Sequence, residues 1–168
     1  MNQRARTPPA GGNTSKFMSD EKNFRVRLID AALDWERRFG VAPSITSVLS
    51  EFDAAILVGH TPESFSLASV GRTAVSRGHD FVFDGLRYQV KANRPSGKPG
   101  SFVTLVPKAK NYEWDRLIWL LYDSRFQIEE AWLWLVDNYR RAFDSVSRLS
   151  PKHMRGGQCI RPGAGRRS

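Results

Sequence analysis

The chain has 168 residues, enough for one domain with a real core and too few for two comfortable ones. Its one cysteine, Cys159, excludes an internal disulfide and fits a reducing compartment, and the longest apolar runs, "LIWLLY" and "AWLWLV", are far too short to span a bilayer. With no apolar run behind Arg4 and Arg6 to serve as a secretory signal, the expectation is a soluble, intracellular (cytoplasmic) protein without membrane contact. The net charge of +9 sits at the two ends. Three basic residues and no acid precede Asp20, and six basic residues and no acid follow Asp144. Basic ends of this kind suit a polyanionic partner.

Residues 1–19, rich in Pro, Gly, Asn, Thr and Ser, read as a disordered basic tail. Ser19 or Asp20 caps a helix to about Phe39, with Phe24, Leu28, Ala32, Trp35 and Phe39 as its apolar stripe and Gly40 as its stop. A second helix follows Ser44 along Ile45, Val48, Leu49, Phe52 and Ile56 and ends at Gly59. "TPESF" starts a short third helix, and the rest of 61–78 reads as loop.

Strand signals come next. Residues 80–83 and 86–92 flank Asp84-Gly85, a hairpin turn, and "SFVTLVP" is expected to be a further strand. "DRLIWLLYD" is continuously apolar, as at a sheet centre covered on both faces. "FQIEEAWLWLV" passes from strand into helix, "DNYRRAF" is helical, and residues 149–168 read as a basic tail. The expected organisation is a single mixed α/β (α+β) domain over 20–148, with a central mixed sheet of about four to five strands flanked by helices. The tryptophans Trp114, Trp119, Trp132 and Trp134 fall in apolar patterns and read as core or interface.

A two-residue turn at Asp84-Gly85 pairs Phe83 with Leu86, Val82 with Arg87, Phe81 with Tyr88 and Asp80 with Gln89. Alternation then puts Phe81, Phe83, Leu86, Tyr88 and Val90 on one face and Asp80, Val82, Arg87, Gln89 and Lys91 on the other. An acid, an amide and an amine therefore gather at the open end of the hairpin. From Gly85 to Tyr112 the chain has no acid, while Arg87, Lys91, Arg94, Lys98, Lys108 and Lys110 are basic. A basic surface beside isolated carboxylates is what a phosphodiester-handling site requires.

"GHDFVFDGLRYQVKANR" resembles the catalytic core of the PD-(D/E)XK nucleases in the Q-x-K form carried by Mrr-type restriction endonucleases. Asp80 matches the strand Asp, Gln89 the variant third position and Lys91 the lysine; "SITSVLSEFDAAILVG" resembles the first helix, with Glu51 as its acid. The likeness covers the order of elements over roughly residues 44–135. It implies a restriction-endonuclease-like core and an Mg²⁺-dependent DNA endonuclease, with Mn²⁺ as a substitute. Asp80, Glu51, the Gln89 amide oxygen and the Val90 carbonyl would hold the ion, and Lys91 would orient the attacking water. Asp53 and Glu63 stay open beside Glu51 as the helix carboxylate. Arg87, Arg94, Lys98, Lys108, Lys110 and Arg155 are candidate DNA contacts. A homodimer that cuts both strands, or a targeting partner protein, would supply what one small domain lacks. The rival class is a catalytically silent nuclease-fold subunit that binds nucleic acid or a partner.

Overall fold

The computed structural model describes residues 14–70 and 78–161, the first ten by backbone alone. Three helices, α1 (Thr14–Phe39), α2 (Thr46–Val58) and α3 (Pro62–Ser69), precede four strands, β1 (Phe81–Phe83), β2 (Leu86–Asn93), β3 (Arg116–Tyr122) and β4 (Ile128–Leu135). Helices α4 (Val136–Phe143) and α5 (Pro151–Met154) and strand β5 (Gln158–Arg161) complete the described chain. The strands form one open mixed sheet in the order β1-β2-β3-β4-β5, in which only β2 and β3 run parallel.

Alternating side chains give this sheet two covered faces. On one, Phe81, Tyr88, Val90, Ile118, Leu120, Tyr122, Ala131 and Leu133 pack with Ala54 and Ala55 of α2. On the other, Leu117, Trp119, Leu121 and Trp132 pack with Trp114, with Tyr139 and Phe143 of α4, and with Val106, Ala109, Leu149 and Met154. A third cluster joins Ile29 and Ala32 of α1 to Leu49 and Phe126. Strand β3 is buried almost throughout, as its unbroken apolar run requires. The four expected core tryptophans all belong to the α4 face.

Several expectations need correction. Helix α1 already includes 14–19, since the last helix breaker, Gly12, lies before it; residues 1–13 fall outside the described residues. Of its expected core stripe only Ala32 is buried, together with Ile29, while Phe24, Leu28, Trp35 and Phe39 are exposed. Helix α2 starts after Ile45 without a side-chain cap, so Ser44 does not cap it, although Gly59 ends it in the left-handed region as expected. "SFVTLVP" is not a strand. It makes one isolated bridge, Val106 to Leu149, because the crossover between the parallel β2 and β3 runs through it. The chain after 148 is more than a basic tail: α5 and β5 follow, and β5 pairs with β4 through Ala131–Arg161, Trp132–Cys159 and Leu133–Gln158. Residues 162–168 lie outside the described residues. No helix among the described residues is long and apolar enough to cross a membrane.

Candidate active site at the β1–β2 hairpin

Asp84 and Gly85 both have positive φ, 50° and 73°, which matches a two-residue turn whose twist suits the strands it joins. The register is the one the turn predicts: Phe83–Leu86, Val82–Arg87 and Phe81–Tyr88. Asp80 lies just outside β1, and its N–H donates to the Tyr88 carbonyl at 2.7 Å, so the expected Asp80–Gln89 pair is not part of the ladder.

Its side chain then folds onto β2. Asp80 Oδ2 accepts from the Val90 backbone N–H at 2.6 Å and from the Gln89 side-chain amide. Gln89 is buried, and its Nε2 also lies 3.5 Å from the Val90 carbonyl oxygen. Lys91 follows two residues on, partly exposed and on the same sheet face as Gln89. The structure thus brings Asp80 together with Gln89 and the Val90 backbone, with Lys91 next along the same face of β2. Among the described residues Lys91 has no carboxylate within ion-pair distance.

Gly78 governs the approach to Asp80. Its φ of 88° suits glycine alone, and a Cβ there would lie 2.7 Å from the Glu113 Cβ and collide with the Glu113 carboxylate. The far end of the hairpin is clamped to β3. Asp115 accepts from the Arg87 N–H at 2.8 Å and from its guanidinium at 3.0 and 3.1 Å, while the Asp115 N–H donates to the Arg87 carbonyl. The Arg87 side-chain bonds, followed by its backbone N–H, hold the Asp115 carboxyl down at about 2.

The three helix carboxylates have different surroundings. Asp53 is buried and fully engaged: Arg25 donates to both of its oxygens, at 2.6 and 2.7 Å, and the Tyr122 hydroxyl donates at 2.8 Å. Burial first and the Asp53 charge second push the Tyr122 phenol far up, so it stays a donor. Asp53 ties α1, α2 and β3 together. Glu51 stands one turn before Ala54 and Ala55, on the helix face that α2 lays against the Tyr88–Val90 side of the sheet, opposite the side that carries Gln89 and Lys91. Glu63 sits in the first turn of α3, and its Oε1 is buried without a hydrogen-bond partner among the described residues.

Most of the candidate DNA contacts have partners within the fold. Arg94 stacks 4.1 Å over the Phe126 ring, pairs with Glu36 at 2.6 Å and donates to the Ser124 carbonyl, with only 8 % of its side chain exposed. Arg155 grips Glu130 at 2.8 and 2.9 Å. Lys108 caps the end of α4 through the Asp144 and Val146 carbonyls, and Lys98 reaches the Gly40 carbonyl. Arg87 holds Asp115 but remains solvent-facing, and Lys110 is exposed without a partner among the described residues. Sequence reasoning missed the Arg25–Asp53–Tyr122 and Arg155–Glu130 pairs. These unite residues far apart in the chain, and no local pattern announces them.

Asp80, Glu51, the Gln89 amide oxygen and the Val90 carbonyl are hard oxygen donors, so the set fits Mg²⁺ or Mn²⁺ in its chemistry. As placed, Gln89 turns its N–H toward Asp80 and steadies that carboxylate. No three His, Cys, Asp or Glu side chains converge among the described residues, so any ion here would lean on neutral oxygens as well. No protein-family model matches the chain, and no curated protein matches it in sequence. The likeness to PD-(D/E)XK nucleases rests on the hairpin residues and the order of elements.

Proposed function

We propose that the chain is a metal-dependent DNA endonuclease with a restriction-endonuclease-like core. The observation that carries this reading is the fastening of Asp80 to Gln89 and Val90 of β2, with Lys91 on the same strand face as Gln89. Asp80 and Glu51 would hold the cation, with the Val90 carbonyl and the Gln89 amide oxygen as neutral donors. When bound, Mg²⁺ supplies Lewis-acid polarisation of the scissile phosphate and an acidified water. Lys91 would orient that water and offset the negative charge that develops on the phosphate oxygens. Gln89 has a second duty, holding the Asp80 carboxylate at one angle. Lys110 and the solvent-facing Arg87 are the cations best placed to meet DNA phosphate.

The test is cleavage of supercoiled plasmid. The parent is expected to nick or linearise it with Mg²⁺ or Mn²⁺ and not with EDTA, and Asp80→Ala to be at least ~10²-fold slower. A D80A variant as fast as the parent would sink the mechanism. The second reading, a silent nuclease-fold subunit, is favoured by the Gln89 N–H that faces Asp80 and by the internal partners of Arg94 and Arg155. DNA binding by a parent protein that cuts no substrate would select it.

A further inference from the structure

Helix α1 presents two apolar faces, and the fold covers one. Ile29 and Ala32 are buried, and Leu33 packs against them. About 100° around the helix, Phe24, Leu28, Trp35 and Phe39 fall within about 60° of one another. Phe24, Trp35 and Phe39 are 60 %, 54 % and 63 % exposed. Beside Phe24 and Leu28 opens an apolar groove of about 540 Å³, walled also by Val48, Phe52, Phe65 and Val70.

The spacing of this seam is palindromic. Phe24 and Phe39, like Leu28 and Trp35, are equidistant from a point between Ala31 and Ala32. A two-fold axis there lays α1 antiparallel on a second α1, setting Phe24 against the partner's Phe39 and Leu28 against the partner's Trp35. The exposed Ala31 at the centre lets the helices approach closely. Each Phe39 lies about 22 Å along the helix from Phe24 and so comes to the partner's groove beside it.

Arg27, Asp34 and Arg38 are exposed on one flank of the seam, within about 40° on the wheel. A two-fold axis brings like flanks together, so each Arg27 comes between the partner's Asp34 and the partner's Arg38, within a turn of both. The exposed side chains of the seam and groove offer on the order of 600 Å² per protomer, near the ~800 Å² per partner of a stable interface.

We infer that the chain forms a homodimer through antiparallel pairing of α1, with Phe39 of each protomer seated in the groove beside Phe24 of the other. Nothing in this rests on the nuclease reading, and the test does not measure cleavage. Sedimentation equilibrium of the full chain across the micromolar range should give twice the chain mass. Trp35→Glu changes only an exposed residue and should raise the dissociation constant about 30-fold or more with an unchanged circular dichroism spectrum. Leu28→Glu is the second variant, should W35E fail to fold. The orientation is read from charge swaps. Asp34→Arg should weaken the dimer, Arg27→Asp alone should change it little, and the double variant should bind more tightly than either. A monomeric parent, a W35E dimer as tight as the parent, or a double swap no better than the single ones would overturn the inference. An apolar partner of another kind would appear as a monomeric parent.

Discussion

Asp53→Ala separates the carboxylate that builds the fold from the one proposed to serve the site. The substitution removes two charge-assisted bonds from Arg25 and one from the buried Tyr122 hydroxyl. Arg25 keeps only a 3.3 Å contact to the Phe126 carbonyl, with about a fifth of its side chain in water. Breaking a buried pair from one side costs about 3–5 kcal/mol, and the solvent that reaches Arg25 moves this site to the low end. The stranded Tyr122 hydroxyl adds about 1–3 kcal/mol, not fully additive with the first, for a total near 4 kcal/mol. Urea unfolding followed by circular dichroism, at an unchanged m value, reads the loss directly. Glu51→Ala, on the same helix but partly exposed, should cost less than Asp53→Ala while abolishing metal-dependent cleavage. A D53A protein within about 1 kcal/mol of the parent would refute the assignment of Asp53 to the fold.

Gly78→Ala should destabilise by about 1–3 kcal/mol and slow cleavage, since it strains the backbone and pushes Asp80 off β2; adding Glu113→Ala removes the carboxylate but keeps the Cβ at 2.7 Å and the strain, so thermal melts should recover little, and Glu113→Gly should recover more. Asp115 titrates lower when folded than its unfolded ~3.9, so its clamp contributes stability present above that value and lost as pH falls toward about 2. Asp115→Asn should flatten that acid limb, by a small and salt-sensitive amount because both partners meet solvent. Arg94→Ala should cost about 2–4 kcal/mol and leave the salt dependence of DNA binding unchanged, whereas Lys110→Ala should leave stability unchanged and lower the salt slope by about 1.

The parts of the fold legible in the sequence are those that short-range rules determine. Asp84-Gly85 sets the hairpin register, and alternation then assigns every side chain from Phe81 to Lys91 to a face. The apolar run of β3 and the passage from β4 into α4 follow from equally local patterns. Where the sequence misled, a longer-range contact decided. "SFVTLVP" alternates like a strand, yet β2 already has β1 and β3 as neighbours, and Phe102 stays 81 % exposed. The Gln158–Arg161 strand hides in a basic, glycine-containing stretch because its partner, β4, lies more than twenty residues earlier. On α1 the periodicity is real but marks the uncovered face, since the helix meets the fold through Ile29, Ala32 and the Arg25–Asp53 pair. Within the candidate site, the turn alone places Gln89 and Lys91 on one face of β2, while Asp80 lies outside the ladder and reaches β2 through its side chain. Of Glu51, Asp53 and Glu63, Asp53 is taken up by Arg25 and Tyr122, partners that no spacing reveals.

The most direct test of the nuclease reading compares the parent with Lys91→Ala on supercoiled plasmid and branched DNA, in Mg²⁺, Mn²⁺ or EDTA. Lys91 has no ion-pair partner among the described residues, so K91A should fold and melt like the parent. Metal-dependent cutting by the parent that K91A loses is the predicted result. Cutting by K91A at the parent's rate, or none by the parent with DNA binding intact, would contradict it.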